Sequence, residues 1–205
     1  MNYNRYRLLA TGKFAAWALL IGLTLGPNLA ADDHQVSQTG GEMIHFNTFS
    51  IDKYEYPNKP GEMPLGNVSW TEARQLCQDQ GKRLCTESEW EKACRGKGDF
   101  LFSYGPQFEA GRCNTPYLKD EKWIRSQGPA ASGTYDGCGN PEGVQDMIGN
   151  LWEWTTVTYD GQQDWKVVRG GSWFNNVNFA RADGRYGHYL TSEYKLDLIG
   201  FRCCR

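Results

Sequence analysis

The residues best placed to do chemistry lie in Asp146-Met-Ile-Gly-Asn-Leu-Trp-Glu-Trp-Thr155, followed by Val168-Arg-Gly-Gly-Ser-Trp173. Trp152 and Trp154 are two apart, so on an extended segment they share one face and Glu153 points to the other. Asp146 stands just upstream, and the pair Gly149-Asn150 bends the chain between the two acids. Two carboxylates around such a turn suit an ordered, oxygen-rich site. The same residues also suit a buried aromatic knot holding one satisfied acid, and composition leaves both readings open.

The cysteines form a second set. The chain has 7: Cys77, Cys85, Cys94, Cys113, Cys138, Cys203 and Cys204. Zinc would call for CxxC pairs or cysteine–histidine clusters. Neither is present, and His34, His45 and His188 are scattered. Cys203 and Cys204 are adjacent, so on a strand their side chains leave on opposite sides and chelate one ion poorly. Structural disulfides are expected, with an odd thiol left over. Four arginines, Arg169, Arg181, Arg185 and Arg202, admit two roles. They wall a binding groove, with Trp173, Asn175, Arg181 and Arg185 as its candidate lining, or they pin loops by bonding to carbonyls and carboxylates. Asp183 and Glu193 lie in the loop that would face a ligand, but their spacing alone defines no acid–base pair.

The elements that must position these groups are short. A length of 205 residues suits one domain, or one domain plus a processed segment. Aromatic residues make up 14% and tryptophans number 8, which describes a loop-rich fold with a ring-filled core rather than long amphipathic helices. A net charge of -2 without any basic run gives no footprint for nucleic acid.

Residues 1–30 read as a secretory signal peptide: Arg5, Arg7 and Lys13 precede an apolar run from Phe14 to Leu25, then Pro27 and small residues to Ala31. The run is short for a membrane span, so no span is expected after processing. This predicts export to a periplasmic or extracellular location. A flexible segment (31–42) would follow, then a folded domain (43–205).

Met43 to Tyr56 has strand character, with Ile44, Phe46, Phe49 and Ile51 as candidates for burial. The stretch 57–64 is a turn-rich connector. Ser69-Trp-Thr-Glu72 and Thr86-Glu-Ser-Glu89 are capping boxes. Each opens a short helix, the first carrying Ala73, Leu76 and Cys77 inward and stopping at Gly81. The second carries Trp90, Ala93 and Cys94 inward and ends at Gly96. Residues 100–145 and 174–198 read as irregular loops, with short strands at 152–156, 165–169 and 200–204.

Four stretches in this order carry a resemblance: Gly81-Lys-Arg-Leu-Cys-Thr-Glu-Ser-Glu-Trp-Glu-Lys-Ala-Cys-Arg-Gly96, Gly149-Asn-Leu-Trp-Glu-Trp-Thr155, Val168-Arg-Gly-Gly-Ser-Trp173 and Ile199-Gly-Phe-Arg-Cys203. Together they resemble the formylglycine-generating enzyme family, also called the sulfatase-modifying factor domain, over roughly residues 43–204. The resemblance implies an α+β fold of the C-type lectin-like kind: two short helices, short antiparallel strands, much irregular loop and disulfide staples.

It also implies a chemistry that this chain lacks the residues to perform. The family's oxidation of a sulfatase cysteine to Cα-formylglycine uses copper held by two cysteines shortly after the Arg-Gly-Gly-Ser motif, because soft thiolates suit Cu(I). Here residues 173–185 contain no cysteine, and none occurs between Cys138 and Cys203. A related branch uses histidine-bound iron, but only His45 and His188 fall in the domain. Neither copper nor iron is expected.

Calcium does carry over. The family's ligands match Asp146 and Glu153 by side chain and Gly149 and Leu151 by carbonyl, a hard-oxygen set suited to Ca²⁺. A weaker second calcium position matches Asn114 and Thr115. For the cysteines, the resemblance implies Cys77–Cys203 between the first helix and the last strand. Cys85 and Cys204 could bridge the second helix's start to that strand, and Cys113–Cys138 would close the long loop. Cys94 lacks its family partner and would remain a core thiol.

The resulting expectation is an exported, non-catalytic binding, accessory or structural-subunit protein on a calcium-stabilised scaffold. Its partner would be a protein, peptide or glycan, or it would sit within an extracellular or envelope complex. The alternative is a protein-modifying oxidoreductase with an altered site.

Overall fold

The computed structural model of the chain describes residues 41–161 and 164–205. The expected signal peptide and most of the segment 31–42 lie outside the described residues. Among the described residues, no helix is long and apolar enough to cross a membrane.

Both capping boxes form. Helix α1 (Trp70–Asp79) starts at Ser69, whose Oγ accepts from the Glu72 amide at 3.2 Å. The Glu72 carboxylate in turn accepts from the Ser69 amide at 3.0 Å. Helix α2 (Glu87–Arg95) starts at Thr86 in the same way, with Glu89 closing the box at 2.9 Å. Each cap contributes about 1 kcal/mol by satisfying donors that the first turn leaves open. The inward faces largely follow the spacing: Ala73 and Cys77 on α1, and Trp90, Ala93 and Cys94 on α2, are fully buried, while Leu76 is only half-buried against the second apolar cluster.

The strands are short. In one sheet β1 (Met43–His45) pairs antiparallel with β2 (Ser50–Asp52), and β10 (Cys203–Cys204) lies between β2 and β3 (Arg83–Leu84). The other sheet runs β8 (Arg185–Tyr186), β7 (Lys166–Arg169), β6 (Trp152–Thr158), β9 (Ile199–Gly200), with β9 parallel to β6. A separate hairpin joins β4 (Tyr117–Lys119) to β5 (Lys122–Ile124).

Three expectations are corrected here. The loop 100–145 contains the hairpin, and the loop 174–198 contains β8. The expected strand 200–204 is two strands in two different sheets, because the chain crosses between them at Phe201 and Arg202. Both crossing residues are fully buried, Phe201 stacked on Tyr56 at 4.7 Å. Lys82 pairs with Asp52 at 2.7 Å beneath β10 and anchors the first sheet's polar interior.

Two apolar clusters fill the interior. One gathers Trp90, Cys94, Phe102, Met147 and Ile148, and the other gathers Cys77, Trp154, Val168, Ile199 and Phe201. Disulfides Cys85–Cys204 and Cys113–Cys138 lie within the first cluster and Cys77–Cys203 within the second, with Cα separations of 4.9, 4.9 and 5.6 Å. Adjacent Cys203 and Cys204 thus reach opposite ways, as strand alternation requires. Closing the first loop of 126 residues is worth about 4–5 kcal/mol in the chain-entropy account, and Cys85–Cys204, which spans almost the same segment, adds less because only a short loop is left to close. Cys94 is the free, buried thiol.

Candidate functional site

Strand β6 sends Glu153 into the protein interior, where its carboxylate is held by three donors. Arg202 donates from Nε at 2.7 Å to one oxygen and from Nη2 at 2.8 Å to the other, and Trp90 Nε1 adds a bond of 2.7 Å. Arg202 also donates to the carbonyls of Asp52, Lys53 and Gln145. Both charged side chains are out of contact with solvent. A pair so enclosed is sustained by its geometry: desolvation is costly, and attraction plus extra hydrogen bonds offset it. The satisfied-acid reading of Glu153 therefore holds, and Trp154 on the other face donates from Nε1 to the Val68 carbonyl at 2.9 Å.

Two further acids share this interior. Glu55, fully buried, accepts from the Leu151 amide at 3.0 Å and from the Asn150 side chain. Asp146 accepts from the Gly133 amide at 2.8 Å. Burial pushes the Asp146 carboxyl up to about 6. It drives Glu55 well above the carboxylate range, with the charges of Glu153 and Asp146 adding to the effect. Arg202 is the cation common to all three. With a single arginine among three acids, the cluster holds Glu153 in an ion pair and pushes Glu55 and Asp146 toward their neutral forms.

The turn between Asp146 and Glu153 is built tightly. Asp146, Gly149 and Asn150 have φ of 60°, 78° and 56°. A Cβ at position 149 would stand 2.4 Å from the Asn114 carbonyl oxygen, so glycine is required there. Asn150 ties the turn outward, its Oδ1 accepting from Asn114 Nδ2 at 2.9 Å and from the Ala130 amide at 2.8 Å.

A divalent cation at this turn would draw on the Asp146 carboxylate and the hard carbonyl oxygens at 149 and 151, and on Glu153 only through the oxygen that accepts a single bond, from Arg202 Nη2, since the other already accepts two. Among the described residues no group of three or more His, Cys, Asp or Glu side chains gathers as a metal cage, so carbonyls would have to complete the shell. At the weaker position Asn114 is already engaged, accepting from Ser126 at 2.6 Å, while the Thr115 hydroxyl is buried without a partner.

Copper chemistry does not fit. Six cysteines are in disulfides, and Cys94 is buried on α2, its thiol pushed far up by desolvation. No pair of thiolates can converge on the segment 173–185. His45 hydrogen-bonds Ser50 beside the first sheet, whereas His188 packs against Trp165 and Tyr189 beside the second.

The arginines act as pins. Arg169 bonds Glu87, Glu91 and the Ala182 carbonyl, Arg185 bonds Glu87 and Asp160, and Arg181 pairs with Asp183. The candidate groove residues Arg181 and Arg185 are thus engaged in ion pairs, while Trp173 and Asn175 flank Phe174 in the loop that follows β7. The cavity beside this segment, about 210 Å³, is lined by Pro116, Trp123, Arg125, Phe174 and Asn176. Sequence reasoning passed over Glu55, which stands between Tyr54 and Tyr56 in a mixed stretch that also carries Asp52 and Lys53 and so offers no distinguishing signal.

Comparison with known proteins places this architecture. The model of the "Sulfatase-modifying factor enzyme 1-like domain" matches residues 31–205. The chain is 37% identical over 158 residues to the bovine "Inactive C-alpha-formylglycine-generating enzyme 2", covering 69% of this chain and 50% of that protein. It is 35% identical over 106 residues to the "Formylglycine-generating enzyme" of Mycobacterium tuberculosis, covering 47% and 34% respectively. The chain thus spans half or less of the length of these relatives. Among solved structures, PvdO from Pseudomonas aeruginosa superposes with a TM-score of 0.61 at 19% identity, over 77% of this chain and 80% of that one, a likeness of fold alone. From its motifs, its disulfide-bound α+β architecture and these matches, the chain belongs to the sulfatase-modifying factor (formylglycine-generating enzyme) domain family.

Proposed function

We propose that this chain is a non-catalytic member of its family, an exported binding or accessory module whose scaffold is stabilised by calcium. The observation that carries the reading is the state of the cysteines: none stands in 173–185, six are cross-linked, and the seventh is buried alone. Oxygen activation on copper needs accessible, convergent thiolates, which this chain does not offer. Three disulfides also suit an oxidising compartment and so support export. The likeness to a relative named inactive points the same way.

Calcium would be held by Asp146 and Glu153 together with the carbonyls of Gly149 and Leu151. Its role there would be electrostatic, favouring the ionised form of Asp146 and fixing the turn that leads into β6. Arg202 keeps Glu153 oriented whether or not the ion is bound.

The deciding experiment incubates the purified chain with Cu(I), a thiol reductant and a cysteine-containing sulfatase peptide, then reads aldehyde formation by mass spectrometry. No product above the protein-free control is expected. Turnover would restore the oxidoreductase. Calcium titration by calorimetry of the same sample, with Asp146→Ala alongside, tests the scaffold: one site in the parent and none in the variant is expected.

A further inference from the structure

The other face of β6 opens onto a cavity of about 280 Å³ that the calcium turn does not touch. Its floor is apolar, made by Trp152, Val168 and Ile199 on neighbouring strands. Its wall is a set of rings, Tyr186, His188, Tyr189 and Tyr194. None of the residues lining it is an Asp, Glu, Lys or Arg.

The rings are held in place rather than loose. Tyr189 is 66% exposed, yet its ring lies 4.0 Å from His188 and 4.8 Å from Trp165, and Trp165 in turn meets His188 at 4.9 Å. Its backbone adopts φ of 61°, a left-handed conformation disfavoured for a bulky side chain. Such strain costs on the order of 1–3 kcal/mol and persists only where the surroundings impose it. The position 187 beneath is closed to any side chain, since a Cβ there would lie 2.5 Å from the Tyr159 ring. On the far side Trp152 meets Tyr186 at 6.3 Å. Little freedom is lost when a ligand enters such a braced pocket.

The lining defines the ligand. With no counter-charge in the wall, a charged group entering would be desolvated without compensation. A neutral group with an apolar face and hydroxyl-bearing edges suits both the ring faces and the polar tips of the tyrosines and histidine. The volume, at the small end for ligand sites, admits about one six-membered ring. We propose that this cavity binds one neutral sugar ring at the end of an oligosaccharide, stacked on Trp152 and Tyr189 and hydrogen-bonded by the tyrosine hydroxyls and His188. The inference rests on the binding-module reading and gives that module its ligand class.

Saturation-transfer NMR of the full exported chain tests it, using neutral disaccharides of glucose, galactose, mannose and N-acetylglucosamine. Proline-rich and aromatic peptides run alongside at equal millimolar concentration. Magnetisation should pass to the ring C–H protons of the terminal residue of at least one saccharide. Tyr189→Ala and Tyr186→Ala, checked for an unchanged circular dichroism spectrum, should each weaken that binding about tenfold, the equivalent of one stacked ring. Because no ligand comes from Asp146 or Glu153, a calcium chelator that leaves the fold intact should not release the sugar.

The inference fails if no saccharide receives transfer, if both tyrosine variants bind as the parent does, or if only the peptides bind. Each of those results leaves the non-catalytic reading standing, since that reading is judged by aldehyde formation. Turnover in that assay would instead remove the non-catalytic reading, whatever the sugar result.

Discussion

The two faces of strand β6 make opposite use of alternation. Glu153 points inward to a saturated ionic cluster in which Arg202, Trp90 and the turn amides account for the carboxylates. Its neighbour Trp152 points to an uncharged, ring-walled hollow whose rim is open to solvent. The first face is closed and high in electrostatic stakes; the second is braced but unfilled. Function tolerant of change belongs on the second face, at its exposed rings Tyr186, Tyr189 and Tyr194 rather than at the core residues of its floor.

The contrast can be broken at its strongest point. Arg202→Met should leave Glu153 buried and uncompensated, costing about 3–5 kcal/mol, whereas adding Glu153→Met should recover part of that loss. Thermal unfolding reads both, at roughly 2–4 °C per kcal/mol for a domain of this size. A double variant no more stable than Arg202→Met would show that the pair is not coupled.

Next in size is the ion. Calcium at about a hundredfold excess over its dissociation constant should stabilise the parent by about 2.7 kcal/mol. Asp146→Ala should be blind to both calcium and chelator. An equal calcium response in the variant would move the site elsewhere.

The smallest effect belongs to the open face. Tyr186→Ala should shift stability by no more than about 0.5 kcal/mol, as for a surface position away from caps and buried pairs. A larger loss in chemical denaturation would mean that the ring wall is part of the core after all.

The helices were legible because their starts are spelled out chemically: Ser69 with Glu72 and Thr86 with Glu89 leave little choice of boundary. The Cys77–Cys203 link followed from the resemblance, and Cys85–Cys204 and Cys113–Cys138, cysteines additional to or outside that basic pattern, pair as expected. The hairpin β4–β5 was missed for a specific reason. Its two-residue turn is Asp120-Glu121, with φ of 48° and 60°, where Asn-Gly or Asp-Gly would have announced it. Strand β8 is too short to show a period at all. Glu55 could not be placed with Asp146 and Glu153 from sequence, since only the meeting of distant segments makes it part of the acid cluster.

The order in which the chain is made bears on Cys203 and Cys204. Five cysteines, Cys77, Cys85, Cys94, Cys113 and Cys138, emerge from synthesis before either of these two. Only Cys113 and Cys138 among them have each other as final partners. Cys77 and Cys85 must wait, reduced or wrongly joined, until residue 204 has appeared and β10 has slipped between β2 and β3. The two helices are therefore fastened by the last strand to arrive. In an oxidising compartment, maturation would be a race between that strand's insertion and premature thiol pairing, one in which a disulfide isomerase would have a defined task.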